Sequence, residues 1–116
     1  MTRTPAETMD LYFTAWRAAD TETLRAIFAD DVHFSGPLGQ RDNADSTAES
    51  LGQLAKATKD LVVRRRWVDG GDVITWFDLT VENAPTTPVV NWSHVENGLV
   101  TEIRVTFDPR GMLGGG

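Results

Sequence analysis

The chain contains no cysteine among its 116 residues. That removes any disulfide framework, any thiol nucleophile and every zinc site of the cysteine type. Histidine is scarce too: there are two, His33 and His94. They fall on separate predicted strands and face opposite ways, which makes them poor co-ligands, so no metal and no organic cofactor is expected. No apolar run approaches the ~20 residues of a membrane span. The opening M-T-R-T-P-A-E lacks the apolar core of a signal peptide, so a cytoplasmic location without a membrane partner is the default expectation. Basic charge is in deficit, with 11 lysines and arginines against 17 aspartates and glutamates, a formal charge of −6. A nucleic-acid binder needs a basic face for phosphates, so that class is set aside.

What is present suits one globular domain. The hydrophobic share is 41% and the charged share 24%, and this length supports a single core but not two. Residues 1–110 are expected to form that domain, with 111–116 as a flexible glycine-rich tail. A first helix is signalled by Thr4, Pro5 and Glu7, a capping box with proline at the first helical position. Met9, Tyr12, Phe13, Trp16 and Ala19 follow at helical spacing. Asp20 caps a short second helix that buries Leu24, Ile27 and Phe28. V-H-F-S at 32–35 reads as a short strand ended by G-P-L-G. A third helix starts within 42–46, where Ser46 and Glu49 form a second capping box and Asp42 or Asn43 offers an earlier cap. Its stripe is narrow, and Gly52 within it suits close packing.

Residues 61–69 read as a strand, and Gly70-Gly71 turns it into the next. Arg64, Arg65 and Arg66 project alternately and cannot form one anion site on a regular strand. Residues 73–107 then form a three-strand meander with turns at N-A-P-T-T-P and N-G. Trp76 and Asp78 share one strand face, as do Trp92 and His94, and an indole beside an ionisable group suggests a pocket wall. The predicted architecture is α+β: a cone-shaped, curved antiparallel sheet wrapped on a long N-terminal helix, with two further helices.

The order of elements, the stretch Y-F-T-A-W-R-A-A-D-T-E-T-L-R-A-I-F-A-D-D-V-H-F-S-G-P and the ending V-E-N-G-L-V-T-E-I-R-V-T-F-D-P-R resemble the nuclear transport factor 2-like superfamily, in its SnoaL-like branch. The resemblance covers roughly residues 5–110 and implies a cystatin-like cone with a pocket open to a small molecule. The superfamily includes ketosteroid isomerases, limonene epoxide hydrolases, polyketide cyclases and non-catalytic binding proteins, so fold alone does not name a reaction. Carried over by residue, Tyr12 matches the isomerases' tyrosine donor. Their base falls at Gly36, and their second oxyanion donor falls on or near Trp92. Asp78 resembles one aspartate of the epoxide hydrolases, whose arginine falls at Trp76 and whose partner aspartate falls at Val105. The pairing of Asp78 with His94 resembles the acid–base pair of the cyclases.

Two functional expectations follow. The first is a cofactor-independent acid–base enzyme, of cyclase, isomerase or hydrolase type, with Asp78, His94 and Tyr12 as catalytic groups. Trp16, Phe34, Trp76, Trp92, Val105 and Phe107 would line its pocket around a small apolar substrate. The second is a binding protein that uses the same cavity without reaction. A homodimer through the outer sheet face is expected, that face being read as Phe77, Leu79, Val81, Asn91, Ser93 and Val95.

Overall fold

The capping box at Thr4 starts the first helix where the sequence places it. In the computed structural model, which describes residues 2–113 (without the side chains of 112 and 113), α1 runs Pro5–Arg17. Thr4 Oγ1 accepts the Glu7 N–H at 3.1 Å, and Glu7 Oε1 accepts the Thr4 N–H at 2.8 Å. Two donors that a helix start leaves free are thereby satisfied. α2 (Thr21–Ala26) is capped by Asp20, as expected. α3 (Ala44–Ala57) is capped by Asn43, the earlier of the start signals, rather than by Ser46. A single helical turn, α4 (Arg110–Leu113), stands where a loose tail was expected, and 114–116 of that tail lie outside the described residues.

Six strands form one sheet: β1 (Phe28–Gly36), β2 (Gly39–Arg41), β3 (Thr58–Asp69), β4 (Asp72–Val81), β5 (Thr87–Glu96) and β6 (Leu99–Thr106). Their order across the sheet is β2-β1-β6-β5-β4-β3. β1 lies parallel to β6 and every other pairing is antiparallel, so the sheet is mixed at one seam rather than wholly antiparallel. The β5–β6 turn uses Asn97 (φ 53°) and Gly98 (φ 76°). Positive φ at both centres matches the right-handed strand twist, as Asn-Gly hairpins require. Irregular register between Val63 and Arg65 in β3, and between His94 and Val95 in β5, bends the long strands. The sheet thus curves around α1, which touches β3, β4 and β5, while α3 lies against β1.

The facing of β4 and β5 decides where any site can be. Val73, Phe77, Leu79 and Val81 of β4 are buried on the concave side, as are Val89, Asn91, Ser93 and Val95 of β5. The expected outer set is therefore the inner one, and Trp76, Asp78, Trp92 and His94 stand on the convex face. Burying a phenylalanine gains about 1.5–3 kcal/mol, whereas burying a carboxylate without partners costs several. Phe77 packs edge-on to Phe13 at 5.1 Å and to Trp16 at 5.6 Å between ring centroids. Asp78, directed the other way, pairs with Arg64 at 2.7 Å. Arg66 turns instead to Asp10 of α1 and covers the Phe13 ring, so the three arginines are dispersed, with Arg64 and Arg66 on opposite faces because the register shifts between Val63 and Arg65.

Gly52 of α3 marks the tightest helix contact. A Cβ built there would stand 2.6 Å from Thr21 Oγ1 of α2. Alanine in a helix interior is worth about 1 kcal/mol over glycine, yet Gly52→Ala is expected to lose stability in urea denaturation. Adding Thr21→Ala should recover the loss, and a single variant stabilised by the full propensity gain would contradict this packing.

Candidate functional site

A cavity of about 220 Å³ opens between the concave sheet face, α1 and α3. Its deep wall consists of buried side chains: Tyr12 and Trp16 from α1, Leu51 from α3, and Phe77, Leu79, Val89 and Asn91 from β4 and β5. Phe34, Val105, Phe107 and Leu54 stand partly exposed nearer the mouth, and Leu38, Gly39 and Arg41 form the exposed rim. The helical spacing of Tyr12 and Trp16 brings both to the same wall, with ring centroids 6.1 Å apart. Trp16 Nε1–H donates to Thr58 Oγ1 at 3.0 Å, leaving an apolar ring surface.

Besides Thr47, whose hydroxyl donates to the Asn43 carbonyl, the buried polar groups at the cavity form one network. Ser93 Oγ donates to Asn91 Oδ1 at 2.6 Å, and Asn91 Nδ2 donates weakly to the Tyr12 hydroxyl at 3.4 Å. The phenolic hydrogen itself has no acceptor among the described residues, so it is free for an acceptor atom in the cavity. Burial pushes the Tyr12 phenol well above its ordinary value, against a small lowering by Asn91. It is therefore a hydrogen-bond donor at neutral pH and not a base. Among the described residues, none that lines the cavity is an aspartate, glutamate or histidine. Gly36 and Val105, where the resemblance would put acids, both line the cavity and carry no ionisable group. A Cβ at Gly36 would meet its neighbours at 3.5 Å or more, so space is not what keeps a side chain out.

The residues singled out by sequence divide between two faces. Tyr12, Trp16, Phe34, Val105 and Phe107 line the cavity. Asp78, His94, Trp76 and Trp92 do not, because alternation puts them on the convex face once Phe77 and Asn91 are inside. Asp78 is opposite Pro88, and His94 is opposite Asp72. Asp78 and His94 are thus six strand positions out of register, roughly 20 Å apart at ~3.3 Å per residue. His94 instead bonds Asp72 through Nδ1 at 2.8 Å and Glu96 through Nε2 at 3.3 Å. His33 pairs with Asp42 at 2.7 Å on the same outer side. Among the described residues no three His, Asp or Glu side chains gather as a metal site needs. Sequence reasoning missed Asn91, Ser93 and Arg41. For the first two, the signal was a strand whose alternate residues are valine and small polar groups.

This curved, open sheet over a long helix, with a mostly apolar cavity and a tyrosine donor in its wall, defines a nuclear transport factor 2-like domain. The family model of the SnoaL-like domain matches residues 9–103, and the chain belongs to that family. Among solved structures, an NTF2-like protein of unknown function from Cytophaga hutchinsonii superposes with a TM-score of 0.86 at 22% identity, covering 97% of each chain. An LEH-like epoxide hydrolase from M. tuberculosis gives 0.80 at 21%, over 98% of this chain and 90% of the other. A steroid delta-isomerase from Pseudomonas aeruginosa gives 0.81 at 17%, over 94% and 83%. At such identities the likeness is one of fold. No curated protein matches the sequence.

The His94 cluster generates a pH prediction independent of the cavity. The hydrogen bond that Nδ1–H donates to Asp72 raises the imidazole above its ordinary value of about 6.5, burial opposes this and Glu96 adds to it. Because the folded value exceeds the unfolded one, this contribution to stability is complete below about 6.5 and fades as pH rises through the folded value. An NMR titration should give a His94 midpoint above 6.5, and Asp72→Asn should lower it. A midpoint untouched by Asp72→Asn would remove the pairing as its cause.

Proposed function

We propose that this protein binds a small, largely apolar molecule in the cone and performs no acid–base chemistry on it. The observation that carries this reading is the lining itself: mostly aromatic and aliphatic side chains, a donor cluster at Tyr12 and Asn91, the polar groups of Thr47, Ser50 and Arg41, and among the described residues no carboxylate or imidazole. Proton transfer needs a group that can change charge near neutral pH within hydrogen-bond reach of the substrate. The two groups expected to do so, Asp78 and His94, face away from the cavity and from each other's strand position. The volume, 220 Å³, lies below the range of drug-sized pockets and corresponds to roughly seven water-sized groups at about 30 Å³ each. The ligand is therefore compact, with an acceptor atom, such as a carbonyl oxygen, directed to the Tyr12 hydroxyl.

Cyclohexanone is a suitable probe, because it has about that size and one carbonyl. In a two-dimensional NMR titration the indole N–H of Trp16 should shift saturably, while those of Trp67, Trp76 and Trp92 stay in place. Tyr12→Phe should weaken binding by roughly two- to tenfold, the worth of a neutral hydrogen bond. Asp78→Asn and His94→Gln should leave it unchanged. Saturable shifts confined to the convex-face indoles would sink the assignment of the cavity.

The convex face suits a second copy of the chain, through a different residue set from the one read in sequence. Trp67 is 52% exposed, Trp76 39%, Ile74 38% and Val90 38%. Ile74 pairs with both Trp67 and Trp92 across the strands, so these side chains form one patch. Light scattering at micromolar concentration should give a dimer, and Ile74→Glu should give a monomer with unchanged circular dichroism. A wild-type monomer at that concentration refutes the dimer and leaves the cavity reading untouched.

A further inference from the structure

Among the described residues, Arg41 is the one charged side chain on the cavity wall. It ends the three-residue edge strand β2, and its Cα partner across the ladder is Phe34. Directly opposed residues of an antiparallel pair project to the same face, so the guanidinium is carried to the side on which Phe34 lines the cavity. It is also held there. Nε donates to Ser50 Oγ of α3 at 2.8 Å, and Nη1 donates to the Gln40 carbonyl at 2.7 Å. Nη2 keeps both of its hydrogens without an acceptor among the described residues. Arg41 is also in no ion pair there, although the chain carries a net charge of −6 and most of its arginines find a carboxylate. Asp42, next in sequence, is engaged by His33 on the opposite side of the sheet.

We propose that Arg41 is the head-group site of the cavity and that the ligand is a small hydrophobic carboxylate, its tail in the cone with the acceptor for Tyr12 and its anion at the rim. This rests on the cavity reading above and narrows its substrate class. The dimensions agree with it. A tail of roughly seven carbons fills 220 Å³ at about 30 Å³ per group, and the carboxylate then emerges among Leu38, Gly39 and Arg41. A guanidinium already oriented by two hydrogen bonds loses little further freedom on receiving an anion. The acidic surface elsewhere repels anions, so selectivity for a carboxylate has to come from this one positioned cation. Ser50 Oγ accepts from Arg41 Nε and keeps its own hydrogen as a second donor beside the guanidinium.

The test compares sodium octanoate with 1-octanol by isothermal titration. Wild-type protein should favour octanoate by about tenfold, as a charge-assisted hydrogen bond at a partly exposed site gives, and the preference should shrink as salt is added. Arg41→Met should bring the ratio of the two affinities close to one, and Arg41→Lys should restore part of it. Lys59→Gln, which removes a surface cation remote from the rim, should keep the full ratio. A purely structural role for Arg41, as a clasp between β2 and α3, would change both affinities and leave their ratio standing. That result overturns the inference, as does equal binding of the two probes by the wild type, and in both cases the cavity still binds apolar molecules. Binding of neither probe at Trp16 would overturn the cavity reading and the head-group site together.

Discussion

Phe77 meets Phe13 and Trp16 edge-on, and the rest of the molecule depends on that contact. A strand has only two faces, so directing one residue inward directs every second residue inward with it. With Phe77 in the core, Leu79 and Val81 follow. Through the β4–β5 ladder, so do Val89, Asn91, Ser93 and Val95. The same parity sends Trp76, Asp78, Trp92 and His94 outside. One aromatic cluster therefore decides which polar groups meet the cavity and which meet solvent or a partner.

The chemistry of the cavity follows from that decision. Tyr12, Asn91 and Ser93 are fully buried polar residues that satisfy one another in a row, with one phenolic hydrogen left for a guest. Such a network orients a ligand but cannot exchange protons with it near neutral pH, since the phenol is held protonated by its burial. The fold is shared with proteins described as an epoxide hydrolase and a steroid isomerase. This chain keeps the vessel, and its inner wall lacks carboxylates. Around the rim the character changes, with Arg41 standing over an otherwise apolar opening.

Much of this was legible in the residues. The Thr4–Glu7 box, the Tyr12/Trp16 spacing, the Asp20 cap and the Asn97-Gly98 turn are local signals, and each forms as its own chemistry requires. Phe34, Val105 and Phe107 stand in the cavity wall. The facing of β4 was misread because indoles beside Asp78 and His94 looked like a pocket wall. Weighing the two alternating sets of β4 against each other points the right way: Val73, Thr75, Phe77, Leu79 and Val81 carry one hydroxyl and no charge, while the other set contains two aspartates. In β5 the comparison is less decisive, since both sets mix valine with polar residues, and its facing is inherited from β4 through the ladder.

Sequence by itself determined where α1 and α2 begin and where the β5–β6 hairpin reverses. Those outcomes depend on hydrogen bonds and torsions among near neighbours, which a local stretch contains in full. Only the tertiary structure decided the parallel seam between β1 and β6, the convex placement of Asp78 and His94, and the meeting of Arg41 with the cavity mouth. Each of these is a relation between segments far apart in the chain. It is set by which strand face loses less free energy against the Phe13–Trp16 cluster, and no single segment carries that comparison.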